Sequence, residues 1–215
     1  MKEFIEKKFV KFCLGSKEVH CHIDAVHACP PKHDKFTGDI VEGIAKEINC
    51  SAIIATVSRT IADINRSRNE ENGEAIDEYR ASIRQILEHL NIIDIDGTLL
   101  KPYLHLAIHG MKDKNNNEIE IGTRYGATCS EHVKNWVVEE IIKSFTSTGI
   151  DRNFPGDPSK SVHRLGDLNN NQNYSGYREN FNTIQLEFSL RLRQNHRKEI
   201  IKMLGDLILK FSRVF

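Results

Sequence analysis

Two histidines stand where an α/β sheet would present them to a ligand. His27 follows the strand-like segment Glu18 to Val26, and His109 follows Tyr103 to Ile108. In an open α/β sheet, ligands bind at the carboxyl ends of the strands, so the two imidazoles can converge on one metal ion. A third ligand would come from the loop HACPPKHDKFTG or the helix after it, where His33, Asp34 and Asp39 are the candidates. A helix-start carboxylate such as Asp39 would be held rigidly while the metal offsets its charge. Three protein ligands with a water in the fourth position is the pattern of catalytic zinc. With 10 histidines in the chain, spacing alone carries little weight. His20, His22 and His105 read as ordinary satisfied polar groups.

Two further features could serve such a centre. In ATVSRTIADINRSRN an apolar run stops at Arg59, and Asp63, Asn65 and Arg66 follow within seven residues. An arginine pair just past a buried strand suits a carboxylate, because the planar guanidinium fork binds both oxygens at once. The plainer alternative is an exposed charge network of Arg59 and Arg66 with Asp63, Glu70 and Glu71. Glu187 sits on the polar side of a strongly apolar strand, where burial without a purpose would cost several kcal/mol. Near a metal and its water, that carboxylate is a candidate general base. Pairing with Arg191 or Arg193 on a solvated face is the competing account.

The elements that must position these residues follow from periodicity. Phe9 to Leu14 and Glu18 to Val26 read as a strand pair across Gly15-Ser16. Ile40, Ile44 and Ile48 recur at helical spacing, with Asp39 in the N-cap place, and Ser51 to Val57 reads as a strand. Strand, loop, helix and strand in that order make a βαβ unit, which favours a mixed, mainly parallel sheet with helices on both faces. Ile76 to Leu90 and Val133 to Phe145 give two more helices, and NNNEIEIGT a turn with a short strand. Thr183 to Arg193 alternates as a strand, and Ile200 to Phe211 is an amphipathic helix. The span from Gly149 to Asn182 has little periodicity, and residues 150–182 are a candidate lid.

Composition bounds the partners. The 215 residues fit a single domain, 1–215. Lys plus Arg and Asp plus Glu both number 30, so no net field draws in nucleic acid or a membrane, and a small acidic substrate fits better. Oligomeric state has no legible signature. Five cysteines without a CxxC pair, behind a start that lacks an apolar signal core, point to a reduced, cytoplasmic setting.

Four blocks resemble the N-formylglutamate amidohydrolases, a family related to poly-γ-glutamate hydrolases and zinc carboxypeptidases. They are AVHACP, GDIVEGIAKEINCSAIIATVSRTIADINR, LAIHGMKDKNNNEIEIGT and NTIQLEFSLRLR, in the family's order, over about residues 20 to 195. The resemblance implies a single-domain, zinc carboxypeptidase-like α/β fold with one zinc ion held by His27, Asp39 and His109. It further implies Arg59, Asn65 and Arg66 as the substrate-carboxylate grip and Glu187 as the catalytic glutamate, with Arg59 assisting. The expected activity is hydrolysis of an N-acyl amino acid such as N-formylglutamate. The alternatives are a γ-glutamyl or carboxypeptidase-type peptide hydrolase, and a non-catalytic binding module for an acidic ligand.

Overall fold

The computed structural model describes residues 3–113, 117–156, 163–165 and 176–215. Its core is one eight-stranded sheet built from β1 (Ile5–Glu6), β2 (Val10–Cys13), β3 (Cys21–Ala25), β4 (Ser51–Ala55), β5 (Tyr103–Met111), β6 (Ile119–Gly122), β7 (Thr148–Ile150) and β8 (Phe181–Ser189). The order across the sheet is β1-β2-β4-β3-β5-β8-β6-β7. The central strands β4, β3, β5 and β8 run parallel. Antiparallel pairing enters at β1–β2, β2–β4 and β8–β6.

The helices are α1 (Thr37–Ile48), α2 (Gly73–Leu90), α3 (Glu131–Ser144), α4 (Leu190–Asn195) and α5 (Arg197–Val214). Strand residues alternate between the two faces. On one face Ile23, Ile54, Leu106, Ile184 and Leu186 pack with the apolar stripes of α1, α3 and α5. On the other, Phe12, Ile53, Tyr103 and Phe181 pack with the stripe of α2, from Ile76 to Leu90. The expected sandwich of a mainly parallel sheet between helical layers is therefore observed. None of the described helices is long and apolar enough to cross a membrane, and none of the five cysteines is in a disulfide.

The β3-α1-β4 unit forms as expected, with β3 and β4 parallel neighbours. The expected pairing of the first two long strands does not form. β2 pairs instead with β4, Val10 opposite Ala55 and Cys13 opposite Ala52, so β4 separates β2 from β3. Gly15 makes that crossing possible: its N–H donates to Ser51 Oγ at 2.9 Å. A Cβ there would lie 2.6 Å from Cys50 C and 2.8 Å from Asn49 O, and these are backbone atoms that cannot swing aside.

Two boundaries differ from the periodicity. β8 stops at Ser189, whose hydroxyl caps the next helix by accepting from Leu192 N–H at 3.3 Å, so Leu190 to Arg193 are helical rather than extended. Thr148–Ile150 adds an edge strand too short to show a period. About half of the candidate lid, at 157–162 and 166–175, lies outside the described residues.

Gly15→Ala is expected to lower stability by about 1–3 kcal/mol, as overpacking against an immovable backbone does. Urea unfolding of the purified variant measures it; an unchanged midpoint would show that the crossing has slack.

Candidate metal and substrate pocket

The loop between β3 and α1 carries the chain from His27 to Asp34 and holds the latter in place. Asp34 N–H donates to His27 O at 2.8 Å, and Thr37 Oγ1 donates to Asp34 O at 2.7 Å. Lys32 and Phe36, on either side of Asp34, have left-handed backbones with φ of 58° and 72°. For residues other than glycine such conformations are costly and persist only where surrounding contacts enforce them. The reversals turn the Asp34 side chain back toward the ends of β3 and β5.

The result is a three-residue cluster. His27, Asp34 and His109 each offer a ligand-type atom, all within 4.8 Å of one another. Asp34 Oδ2 lies 3.5 Å from His27 Nδ1 and 3.3 Å from His109 Nδ1, and it accepts from Gly110 N–H at 3.1 Å. The imidazole rings meet edge-on, with centroids 4.9 Å apart. Two imidazoles and one carboxylate form a donor set that suits zinc. Burial works against charge on Asp34, but His109 and His27 prevail and hold its pKa well below the usual carboxylate range. Burial also disfavours a cationic His27, whose pKa is nevertheless raised by Asp34 and Asp63.

Asp39 stands apart from this cluster. It lies within the first turn of α1, is 60 % exposed, and accepts from Arg197 Nη1 at 2.8 Å. The helix begins at Thr37, two residues before Asp39, and the Asp39 side chain pairs with Arg197 at the start of α5. Asp34, one of the three candidates from the sequence, occupies the place that the resemblance implied for Asp39. His33 is not among the three clustered ligands.

Asp63 is the residue that sequence reasoning placed only in a surface network. Its Oδ1 lies 2.8 Å from His27 Nε2 and accepts from Asn65 N–H at 3.0 Å. Its Oδ2 accepts from Arg59 Nη2 at 3.2 Å, with Arg66 Nε 3.8 Å away. A carboxylate on the far nitrogen of a metal-binding histidine fixes the tautomer and orientation of the ring. Asp63 thus ties His27 to the arginine stretch, and the spacing D-x-N-R was its visible signal.

Glu187 arrives by strand register. On the parallel pair β5–β8 it lies directly opposite His109, and on β8–β6 it lies opposite Glu120. It is 7 % exposed and accepts from Gln185 Nε2 at 3.1 Å. Burial pushes its pKa up to about 8, with the Asp34 charge adding to the effect and His27, Arg193 and Arg59 pulling back. Glu120, fully buried, receives Asn153 N–H at 2.9 Å and so fixes the pocket-lining loop Asn153–Gly156.

His27, Asp34, Arg59, Asn65, Arg66, His109, Gln185 and Glu187 all line one pocket of about 320 Å³. Asn65 Oδ1 and Gln185 Oε1 are buried without a hydrogen-bond partner among the described residues, which leaves two acceptors for a ligand's N–H groups. Apart from Asp39, the sequence-derived site residues share this cavity. A second cluster, His22, Asp24 and His105, lies deeper on the same face and is fully buried. Asp24 there accepts from Tyr79 and bonds His105, and His105 bonds Thr183.

No family model matches the sequence, and no curated protein matches it either. Solved structures do. N-formylglutamate amidohydrolase from Ralstonia eutropha aligns with a TM-score of 0.68 at 11 % identity, over 96 % of this chain and 97 % of that one. A gene product of Agrobacterium tumefaciens aligns at 0.62 and 14 %, over 97 % and 96 %. Succinylglutamate desuccinalase from Vibrio parahaemolyticus aligns at 0.51 and 13 %, over 93 % and 70 %. The chain shares their fold. At such identities the likeness speaks to architecture, and the chemistry must be argued from the pocket.

The raised pKa of Glu187 has a consequence in metal-free protein. The folded state keeps that proton up to about pH 8, whereas the unfolded chain releases it near 4.5, so this contribution to stability is lost as pH rises between the two. Metal-free Glu187→Gln should therefore be more stable than the parent by a few kcal/mol at pH 8 and nearly equal to it at pH 5. Denaturant unfolding at both values measures this, and an equal difference at the two would show that Glu187 titrates normally.

Proposed function

We propose that this protein is a zinc-dependent amidohydrolase that removes the acyl group from a small N-acyl amino acid with carboxylates, such as N-formylglutamate. The observation that carries the reading is the single pocket holding a His-Asp-His cluster, a buried carboxylate and an arginine pair. Its volume is near the lower end of small-molecule sites, which favours a compact substrate over a polymer in an open groove.

His27, Asp34 and His109 would hold the metal. A zinc ion in that position supplies a lowered water pKa, toward about 7, and polarises the scissile carbonyl. The remaining work falls to the protein. Glu187 takes a proton from the attacking water and delivers it to the departing amide nitrogen. Arg59 and Arg66 bind the carboxylates of the amino acid portion, and Asn65 Oδ1 and Gln185 Oε1 are free to accept from the substrate's N–H groups. Each charge-assisted bond is worth roughly 1.5–3 kcal/mol. Asp63 holds Arg59 and His27 in a fixed relation, so binding and reacting parts keep their spacing.

Metal analysis of the purified protein should return one equivalent of zinc, retained in Asp39→Asn and lost in Asp34→Ala. The reverse pattern would return the ligand role to Asp39, and no metal in any form would favour a binding module over an enzyme. Glu187→Gln should keep its zinc while turnover of N-formylglutamate falls about 10²–10⁴-fold. Asp63→Asn should weaken zinc about 10–100-fold in a competition titration; unaltered affinity would leave Asp63 serving the arginines alone.

A further inference from the structure

The side-chain amide of Gln185 is only half used by the protein. Gln185 shares the polar side of β8 with Glu187, two residues on, and both are buried, at 6 % and 7 % exposure. Its Nε2 donates to Glu187 Oε1 at 3.1 Å. The form of Glu187 that receives a proton from the attacking water is ionised and can only accept, so the nitrogen end of the amide faces it and the carbonyl end points away. That carbonyl oxygen, Oε1, is buried without a hydrogen-bond partner among the described residues, on a side chain that lines the pocket.

Strand register explains the spare acceptor. Gln185 lies opposite Ala107 on β5 and Gly122 on β6, and neither has a side-chain donor to offer. The pocket-lining loop keeps position 122 bare: a Cβ there would lie 2.5 Å from Phe154 O and 2.8 Å from Gly156 N. A buried acceptor without a partner is costly, and a ligand N–H repays that cost where a CH₂ or an ester oxygen does not. Asn65 Oδ1 is the other spare acceptor in the pocket, but it follows β4 in the stretch that carries Arg59 and Arg66. Gln185 instead holds the carboxylate that hands a proton to the departing nitrogen, and the single N–H of N-formylglutamate is on that nitrogen.

We propose that Gln185 Oε1 accepts the N–H of the scissile amide, so that one side chain both steadies the general base and selects a substrate with a hydrogen on its amide nitrogen. The inference rests on the amidohydrolase reading. The contact turns the nitrogen's hydrogen toward Gln185 and leaves its lone pair for Glu187 as the C–N bond breaks. Glu187 works through Oε2, since Oε1 is held by Gln185: it takes one proton from the water whose oxygen bonds the carbonyl carbon, and passes it to the nitrogen, which leaves as the amine with both electrons of the broken bond. Gln185 neither gains nor loses a proton.

The test uses two probes that are not amides and so resist hydrolysis: N-(methylsulfonyl)glutamate, and its counterpart with CH₂ in place of the N–H. Calorimetry with zinc-loaded parent should find the N–H probe bound about tenfold or more tightly than the CH₂ probe. Gln185→Met, close in volume but without the amide, should lose that preference, whereas Asn65→Leu should keep it. Equal binding of the two probes by the parent, or a preference lost in Asn65→Leu, overturns the contact. The Asn65→Leu comparison decides the assignment even if Gln185→Met does not fold, because it removes the competing acceptor. Turnover of N-formylglutamate by the same parent protein is read separately. A parent that hydrolyses it but does not distinguish the probes overturns the Gln185 contact alone; one that prefers the N–H probe but hydrolyses nothing fails the amidohydrolase reading, and the scissile assignment with it.

Discussion

One carboxylate shared by two imidazoles organises this molecule's functional end. Asp34 is partly buried, and its charge is tolerable only because His27 and His109 face it from the ends of adjacent parallel strands while Gly110 donates a backbone N–H. Removing a charge from water costs several kcal/mol unless partners repay it, so the cluster is stable only as a unit or with a cation among its atoms. The strained backbone at Lys32 and Phe36, the capping of Asp34 O by Thr37, and the absence of a side chain at Gly110 all serve that one placement.

Around this cluster the protein arranges charge in layers. Asp63 links His27 outward to Arg59 and Arg66, so the ring orientation and the anion grip share one acid. Arg193, buried behind Gly110, braces β5, β8 and the loop before α1 through carbonyls and contributes positive potential to both Asp34 and Glu187. Glu187 meets the opposite conditions, with burial and the Asp34 charge opposing its ionisation. Two acids a short distance apart are thus driven in opposite directions, and such a divergence is how one site holds an anionic ligand and a proton carrier together.

The polar side of β8 shows how an alternating strand can serve two purposes. Ile184, Leu186 and Phe188 enter the core against α1, α3 and α5, while Thr183, Gln185 and Glu187 face the polar column that ends in the pocket. Both sides are buried. A solvated outer face for Glu187 was therefore not the outcome, and its pairing with Arg191 does not form: Arg191 bonds Glu118 instead.

By itself the sequence determined the βαβ unit, four of the five helices named above, the two layers and the residue types at the strand ends. Those are local matters, carried by apolar spacing and by which residues follow a strand. His27, His109, Glu187, Arg59, Asn65 and Arg66 were legible because each sits at a strand end or breaks an apolar pattern. Only the tertiary structure decided between Asp34 and Asp39, five residues apart, since backbone reversals in a loop determine which carboxylate turns inward and helix packing turns the other toward Arg197. The same holds for β4 lying between β2 and β3 and for the register that sets His109 against Glu187. Each depends on contacts between residues distant in the chain, and periodicity holds no record of which partner a strand or a charge will meet.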